Sequence, residues 1–362
     1  MHKRARRFLY YPLLAIFFVA TPLLLLYSLG YTFDWRDRSV SKTGGMFIKS
    51  RTSRISISLD DEQIKESSFF TGSALLMDIP VGTHVVRLEH DNYHPWTKTV
   101  AIKPLEVVEL RNIILAPRNL LYATTSARDL PATSTPESTG NVFSLGKNRE
   151  LISTGQGTTT VLLEHIHSFE AFSNEIYFIS DQGFLGRIET IDNTIETLGR
   201  PGFYLAKTPA RFIRSQRGDI AIIDSSGGLF LITTEKRIIP VDGAVIDARF
   251  DLRGDKLLIQ KEQELLLLWI TENRIQPFQI KSAKETIIKT PSQILQSSWF
   301  YQSSAHVAIR TEEGIFLTEI DGRGGRNTHE LVPGTTEDFF TSPDDPNSIF
   351  FKRNKTWFRT EI

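Results

Sequence analysis

Eight histidines and no cysteine set the limits of the chemistry this chain can do. His165 and His167 stand two apart, a spacing that on a strand points both side chains to one face. A zinc site needs further ligands, and no local cluster of Asp, Glu or His supplies them, so both read as surface histidines. His84, His90 and His94 fall across an expected strand and the turn after it, and read as structural. Asp321-Gly322-Arg323-Gly324-Gly325-Arg326 has the glycine content of a phosphate-cradling loop. It opens no helix and lacks the Lys-Ser/Thr that such a loop requires, which makes it a hairpin loop. Asp60-Asp61 and Asp344-Asp345 are paired carboxylates, but neighbours on a turn make a poor acid–base pair. There is no Asp-rich calcium loop and no Gly-x-Ser-x-Gly nucleophile motif. Without cysteine, disulfides, thiolate metal sites, thiol catalysis and a lipidated cysteine are excluded. The expectation is a protein with no catalytic residues, no metal and no cofactor, whose binding residues cannot be named from sequence.

Composition agrees with a binding or structural role. Lys and Arg together number 42, as do Asp and Glu, so the formal net charge is zero. A nucleic-acid binder needs surplus cations to displace counterions from phosphates, so no nucleic-acid partner is expected. Phe alone occurs 24 times, and a chain so rich in aromatic and β-branched residues is a folded one.

The elements that would position a site begin with an N-terminal segment. Lys3, Arg4, Arg6 and Arg7 lie in a basic tip, residues 1–8, ahead of Leu9–Gly30, which is 22 residues without a charge. As a helix that run spans about 30 Å, the thickness of bilayer hydrocarbon. Pro22 falls mid-helix, which membrane helices tolerate, and Tyr10, Tyr11, Tyr27, Tyr31 and Trp35 fall near the two interfaces. Basic residues also follow the run, at Arg36, Arg38 and Lys42. The denser cluster on the short tip favours a cytoplasmic tip and an exported remainder. Residues 9–30 are therefore expected to be a transmembrane signal-anchor. The competing reading is a cleaved signal peptide with Ser28-Leu29-Gly30 as its small-residue site. Residues 31–43 read as a polar tether.

Short strand signals follow from Gly44-Gly45. Ile55-Ser56-Ile57-Ser58-Leu59 alternates strictly, Asp60-Asp61-Glu62 supplies a turn, and Pro80-Val81-Gly82 supplies another. His84–Glu89, Lys98–Ile102 and Val107–Leu115 complete a small β-sandwich over residues 44–117. The series Gly44-Gly45, Ser50, an alternating strand, Pro80-x-Gly82-x-His84-x-Val86 and Asn92-Tyr93-x-x-Trp96 resembles a PEGA domain, a small β-sandwich module found mostly in bacterial surface and membrane proteins. The four residues that name the family would fall at Thr52-Ser53-Arg54-Ile55, and none matches. Its usual Asp-Gly turn is Asp60-Asp61 here, and its usual Gly before Tyr93 is Asn92, a residue that tolerates a left-handed backbone. The resemblance implies a structural or adhesive unit and no catalysis.

Residues 124–140 contain ten Ser, Thr or Pro in seventeen, a flexible composition. The segment is either a linker or, the preferred reading, a loop inside the second domain with Asn119–Ala123 as its first strand. Beyond it an apolar strand recurs with its start at Ile176, Ile220, Leu257, Val307 and Ile349, at intervals of 44, 37, 50 and 42 residues. Each is followed by a second apolar strand. A period near 40–45 residues is the signature of a β-propeller blade. Ile246-Asp247-Ala248-Arg249-Phe250 through Trp269 is similar to a WD-repeat or a related bacterial propeller unit. Five blades are visible, and residues 118–165 would supply a sixth. The ring over residues 118–362 is expected to close by pairing N- and C-terminal strands in one blade. An irregular β-sandwich is the alternative.

The expected fold class is thus all-β, a small PEGA-like sandwich and a propeller of about six blades, behind one transmembrane helix. The expected function is a non-catalytic envelope protein in the bacterial plasma membrane, its C-terminal domains extracytoplasmic. It would meet the lipid bilayer through residues 9–30 and bind cell-wall polymer or an envelope protein. A propeller-type hydrolase or lyase acting on envelope glycans is one alternative, and a sensor or assembly factor in a membrane complex is another.

Overall fold

The computed structural model describes residues 3–28, 31–34, 39–68, 70–126, 130–131, 142–155, 158–300 and 303–362. The chain divides into two compact units. Unit 1 is Met1–Asn119 together with Ile275–Pro277 and Asp321–Asn327; unit 2 is Leu120–Arg274, Phe278–Ile320 and Thr328–Ile362.

Unit 1 opens with helix α1 (Lys3–Ser28), which contains Pro12 and Pro22. Between Tyr10 and Leu26 its large apolar side chains, Leu13, Phe17, Phe18 and Leu24 among them, are exposed. Among the described residues no helix is long and apolar enough to cross a membrane. Leu29 and Gly30 of the expected span lie outside the described residues, as do the side chains of Leu9 and Tyr27.

Two sheets follow. Strand β1 (Tyr31–Asp34) pairs with the start of β2 (Ser39–Ser50), Tyr31 opposite Lys42 and Asp34 opposite Ser39. Of the expected tether over 31–43, residues 31–34 and 39–43 lie in strands, Tyr31-Thr32-Phe33 having the aromatic and β-branched residues that favour one, and residues 35–38 lie outside the described residues. Next come β3 (Ser56–Leu59), β4 (Glu62–Glu66), β5 (Ser73–Pro80), β6 (Gly82–Glu89), β7 (Trp96–Ile102) and β8 (Val107–Ile113). One sheet joins β1, β2 and β5, with β8 running parallel to β2; the other has the order β4-β3-β6-β7. Met46, Ile48, Ile57, Leu76, Val86, Leu88, Trp96 and Leu110 form the core between them. Strand β7 buries every second residue, as a half-buried strand should. Asp60 and Asp61 both sit at positive φ (50° and 67°), the mirror-image turn that suits a two-residue hairpin. Asn92 takes the left-handed conformation expected of it, with φ 65°.

Unit 2 begins with β9 (Ala123–Thr125), in place of the expected strand at Asn119–Ala123. Six sheets succeed one another. The first holds β10 (Val142–Leu145), β11 (Leu151–Gly155) and β12 (Thr158–Leu163). The second holds β13 (Ile166–Phe172), β14 (Glu175–Ser180), β15 (Leu185–Glu189) and β16 (Ile195–Gly199). The third holds β17 (Arg211–Arg214), β18 (Ile220–Ile223), β19 (Leu229–Ile232) and β20 (Ile238–Asp242). The fourth holds β21 (Asp247–Phe250), β22 (Lys256–Gln260), β23 (Glu264–Trp269) and β24 (Lys284–Lys289). The fifth holds β25 (Gln296–Phe300), β26 (His306–Arg310), β27 (Gly314–Glu319) and β28 (Thr328–Pro333). The last holds β29 (Asp338–Thr341), β30 (Ser348–Arg353) and β31 (Thr356–Glu361), with β9 as its fourth strand, Thr124 opposite Phe358.

The N- and C-terminal strands of the unit thus share one blade, as the sequence led us to expect. The cores lie between successive sheets. Ala221, Ile223 and Leu231 of the third meet Leu257, Ile259 and Leu266 of the fourth. Leu258, Leu267 and Trp269 of the fourth meet Val307 and Ile309 of the fifth. Strand β18 is buried at all four positions because it is packed on both faces. This is a propeller, with four strands in five of its six blades and three in the first among the described residues, and the irregular-sandwich alternative falls.

Candidate binding site

Unit 1 carries a polar cleft of about 730 Å³, lined by Arg54, Ser56, Glu66, Glu89, His90, Asp91, Asn92, Tyr93, Pro95 and Arg118. One wall is a cross-strand row, with Ser56 on β3 opposite both Glu66 on β4 and Glu89 on β6. Because side chains on directly opposed residues share a face, the Ser56 hydroxyl is flanked by two carboxylates. Arg54 stands at the entrance to β3 with φ 57°.

The other wall is the Asn92–Pro95 turn. It is fastened to the end of the unit by backbone bonds: the Arg118 N–H donates to the Asn92 carbonyl (2.8 Å) and the His94 N–H to the Ala116 carbonyl (2.8 Å). The Arg118 side chain donates from Nε to the Tyr93 carbonyl at 2.9 Å. The His90 ring stands edge-on to Tyr93, centroids 5.2 Å apart, and its Nδ1 lies 2.9 Å from the Asp91 carbonyl. Glu89 Oε1 accepts from Arg87 at 2.6 Å. The cleft therefore offers guanidinium donors, carboxylate and hydroxyl acceptors and one aromatic ring. Such a lining suits a ligand rich in hydroxyl, amide or carboxylate groups.

The histidines singled out in the sequence separate. His90 reaches the cleft. His84 does not: its Nδ1 lies 2.6 Å from Asp60 Oδ2 and its Nε2 2.7 Å from the Pro80 carbonyl, which ties two turns together. Asp60 is held below the ordinary aspartate range by the Val85 N–H first and by His84 next. His165 has φ 59° and sits outside β13, so it shares no strand face with His167. The chain turns at His165, so the strand spacing that would put the two on one face does not apply to them. His167 bonds to Ser168 and to the Ala206 carbonyl. Among the described residues no three His, Cys, Asp or Glu side chains come together as a metal site. Asp345 is bound by Arg359 and Ser348 and does not face Asp344 as an acid–base partner.

The glycine-rich loop is a hairpin connection between β27 and β28, and its residues Asp321–Asn327 belong to unit 1. Its polar groups are spent on that unit. Arg323 donates to the Glu109 carbonyl (2.7 Å), to Gln276 Oε1 (2.8 Å) and to Asp321 (2.7 Å). Lys98, fully buried at an inward position of β7, donates to the Asp321 carbonyl at 2.9 Å and lies 5.3 Å over the Trp96 ring. Burial pushes the Asp321 carboxyl upward, but the Arg323 bonds and the charge of Lys98 outweigh it and hold it below the usual range.

Unit 2 buries a cation of its own. Lys256 lies between Trp269 and Trp299, 5.4 and 5.5 Å over their rings, and donates to the Ser304 carbonyl at 2.8 Å. Burial pulls its ammonium below the usual lysine value despite Asp251 nearby. Sequence reasoning missed both lysines and the cleft. For Lys98 there was a signal: a charge at an inward position of the alternating run Trp96-Thr-Lys-Thr-Val-Ala-Ile102.

Residues 44–115 match the PEGA domain family. No curated protein matches the chain in sequence. Among solved structures it is similar to YCF48 from Cyanidioschyzon merolae, at 12% identity over 60% of this chain and 76% of that one, with a TM-score of 0.39. It is also similar to an auxiliary nutrient binding protein from Bacteroides thetaiotaomicron, at 7% identity over 85% and 90% of the two chains, with a TM-score of 0.33. A third is the β-propeller domain of Cps50 (Swd1) from Myceliophteria thermophila, at 10% identity over 52% and 62%, with a TM-score of 0.36. The chain joins a PEGA domain over residues 44–115 to a β-propeller, the latter by its own strand order.

Proposed function

We propose that the protein is a non-catalytic, membrane-anchored envelope protein whose PEGA domain holds cell-wall polymer in its polar cleft. The observation that carries this reading is the lining itself: Arg54 and Arg118, the carboxylates Glu66 and Glu89, and the Tyr93 ring around about 730 Å³. Wall glycans and their peptide stems present hydroxyls, amides, carboxylates and ammonium groups, and each finds a complement there. A propeller in the same chain supplies a second, loop-built surface for a protein partner.

Anchoring is supported by the uncharged run Leu9–Gly30 behind four basic residues and by apolar side chains exposed along α1. The same features favour an extracytoplasmic position for the remainder.

The test is co-sedimentation of the full chain in detergent micelles with isolated wall polymer, beside Tyr93→Ala and the double variant Arg54→Ala/Arg118→Ala. Binding that falls in the variants while their thermal midpoints hold supports the cleft. Binding unchanged by them, or none by the parent, sinks it.

A further inference from the structure

Two exposed turns close one end of the sandwich in unit 1. Pro80-Val81-Gly82 joins β5 to β6, and Lys103-Pro104-Leu105-Glu106 joins β7 to β8. The second turn is shut by the Glu106 N–H donating to the Lys103 carbonyl at 3.3 Å. Proline at its second position and positive φ at its third is the plan of a type II turn, which calls for glycine or asparagine at the third. Leu105 stands there instead, at φ 60° and 64% exposed. So exposed a leucine gains little from packing, yet it holds a backbone conformation that glycine would adopt without strain. Strain kept where the fold does not need it points to a use for the side chain. Val81, at the tip of the other turn, is also exposed.

Both turns are fastened beside the end of α1. The Val81 N–H donates to the Lys42 carbonyl at 3.2 Å and the Leu105 N–H to the Thr43 carbonyl at 3.0 Å. Lys42 is the cross-strand partner of Tyr31, and its ammonium lies 5.4 Å over the Tyr31 ring. Only Leu29 and Gly30 separate Tyr31 from the last residue of α1. Two steps between neighbouring strands, each about 5 Å, put Val81 within about 10 Å of Tyr31. The headgroup layer outside the hydrocarbon is about 5–8 Å deep. With α1 in the bilayer, the two tips therefore reach that layer or its outer edge. Apolar surface continues behind them: Met77 Sδ and Val107 Cγ2 each lie 3.4 Å from where a Cβ on Gly45 would stand, and both side chains are exposed. The acidic turn Asp60-Asp61 is set back from the tips. The Asp60 N–H bonds to Val85, four residues beyond Val81 and so about 13 Å away along the strand.

We infer that unit 1 rests on the bilayer, with Leu105 and Val81 seated among the lipid headgroups and Lys42 beside Tyr31 facing their phosphates. The inference rests on the anchoring reading of α1 given above. Apolar tips gain by leaving water for the interface, and tyrosine and lysine suit that layer. A turn stiffened by Pro104 loses little freedom on insertion. The seat also aims the cleft: β6 starts at Gly82 beside the tips and ends at Glu89 in the cleft wall, about 23 Å further from the membrane end.

The chain has no cysteine, so each introduced thiol is unique. The full chain is reconstituted in phosphatidylcholine–phosphatidylglycerol vesicles, with one fluorophore at Leu105→Cys, Val81→Cys, Phe18→Cys or Phe70→Cys. Phe70 is the control, 91% exposed in the turn before β5, at the other end of β2 where the Ser50 N–H bonds to Gly72. Lipids spin-labelled in the acyl chain should quench the Phe18 site, and lipids spin-labelled at the headgroup should quench the Leu105 and Val81 sites. Neither should quench the Phe70 site. Leu105→Gly should bring quenching at Val81→Cys down toward the Phe70 level without lowering the thermal midpoint, because glycine suits the turn. If Phe18 is quenched while Leu105 and Val81 are quenched no more than Phe70, the inference is overturned and the anchor stands. Equal quenching at all three sites of the sandwich overturns it too, as does quenching at Val81 indifferent to Leu105→Gly. An unquenched Phe18 would remove the anchoring reading itself, and this inference with it.

Discussion

The side-chain amide of Asn327 stands in for a missing β-strand beside Thr97. Its Oδ1 accepts from the Thr97 N–H at 3.2 Å and its Nδ2 donates to the Thr97 carbonyl at 3.1 Å. Strand β7, which carries Thr97, is the last in its sheet. Gln276 does the same for β8, accepting from the Glu109 N–H at 2.9 Å and donating to the Val107 carbonyl at 2.8 Å. Replacing Asn327 by Asp keeps the acceptor and removes the donor, setting a carboxylate oxygen against the Thr97 carbonyl. We expect Asn327→Asp to cost about 1–2 kcal/mol and Asn327→Ala about 1 kcal/mol. Denaturant midpoints give these values. Faster amide exchange confined to Thr97 and its neighbours on β7 would identify the lost bond as the cause.

Gly324 explains why that loop is glycine-rich. It sits at φ 61°, and a Cβ there would meet the Thr99 carbonyl oxygen at 1.9 Å. That neighbour is backbone and cannot swing away. Gly324→Ala should destabilise unit 1 by about 2 kcal/mol or more, through strain and displacement of the loop together. Gly325→Ala is the control: its Cβ would meet nothing within 4 Å, although φ is 100°, so it should cost only the backbone penalty of about 1 kcal/mol. Equal losses in the two variants would show that the close approach to Thr99 is unimportant.

Lys98 tests whether the buried cation stabilises unit 1 or merely fits it. Asp321 keeps its bonds from Arg323 when the lysine is removed. An apolar side chain of similar length should therefore be tolerated, and Lys98→Met is expected within about 1 kcal/mol of the parent, in either direction. Lys98→Glu buries a carboxylate beside Asp321 and should cost about 3–5 kcal/mol. Urea denaturation of both variants decides. A heavy loss in Lys98→Met would mean that the charge itself is required.

Acid should unfold unit 2 partly through Asp242. Burial pushes this carboxyl upward, but bonds from Lys261 and Lys284 and the Gly243 N–H overcome it, lowering its pKa from 3.8 to about 2. Lys261 approaches at 2.7 Å and Lys284 at 2.9 Å. A depressed carboxylate contributes stability that is complete above the unfolded value of 3.8 and is lost as pH falls through the folded value near 2. The contribution is about 2 kcal/mol. Asp242→Asn should lower stability at neutral pH by about that much and flatten the acid limb between pH 4 and 2. Thermal midpoints across that range, parent against variant, measure it. Parallel curves would refute the assignment.

How much of this could be read in the sequence depends on where each residue points. Strands β18, β22, β26 and β30 announce themselves as apolar runs because packing on both faces removes any need for polar residues. Strand β7 shows its alternation because one face is wet. Strand β4 buries nothing, so its residues carry no pattern, and Glu62–Glu66 was legible only as the far side of a turn. The cleft was hidden for a related reason. Arg54, Glu66, Glu89 and Arg118 converge through cross-strand register and a closing turn, and in sequence they are unrelated surface charges. Asn327 and Thr97 are 230 residues apart, and no local rule links an amide in a hairpin loop to a distant strand edge.

The pairing of β9 with β31 has a consequence for how the protein is made. Thr124 and Phe358 are partners, so a ribosome must build more than two hundred residues after the first before they can meet. Each blade in between can form its local hairpins as it emerges, but the last sheet stays short of a strand until Thr356–Glu361 arrives. Through that interval β9 must wait unpaired, exposed to chaperones and proteases, and the final step of folding is a slow, long-range one. Removing Thr356–Glu361 would leave most of the blades intact and the ring unlatched.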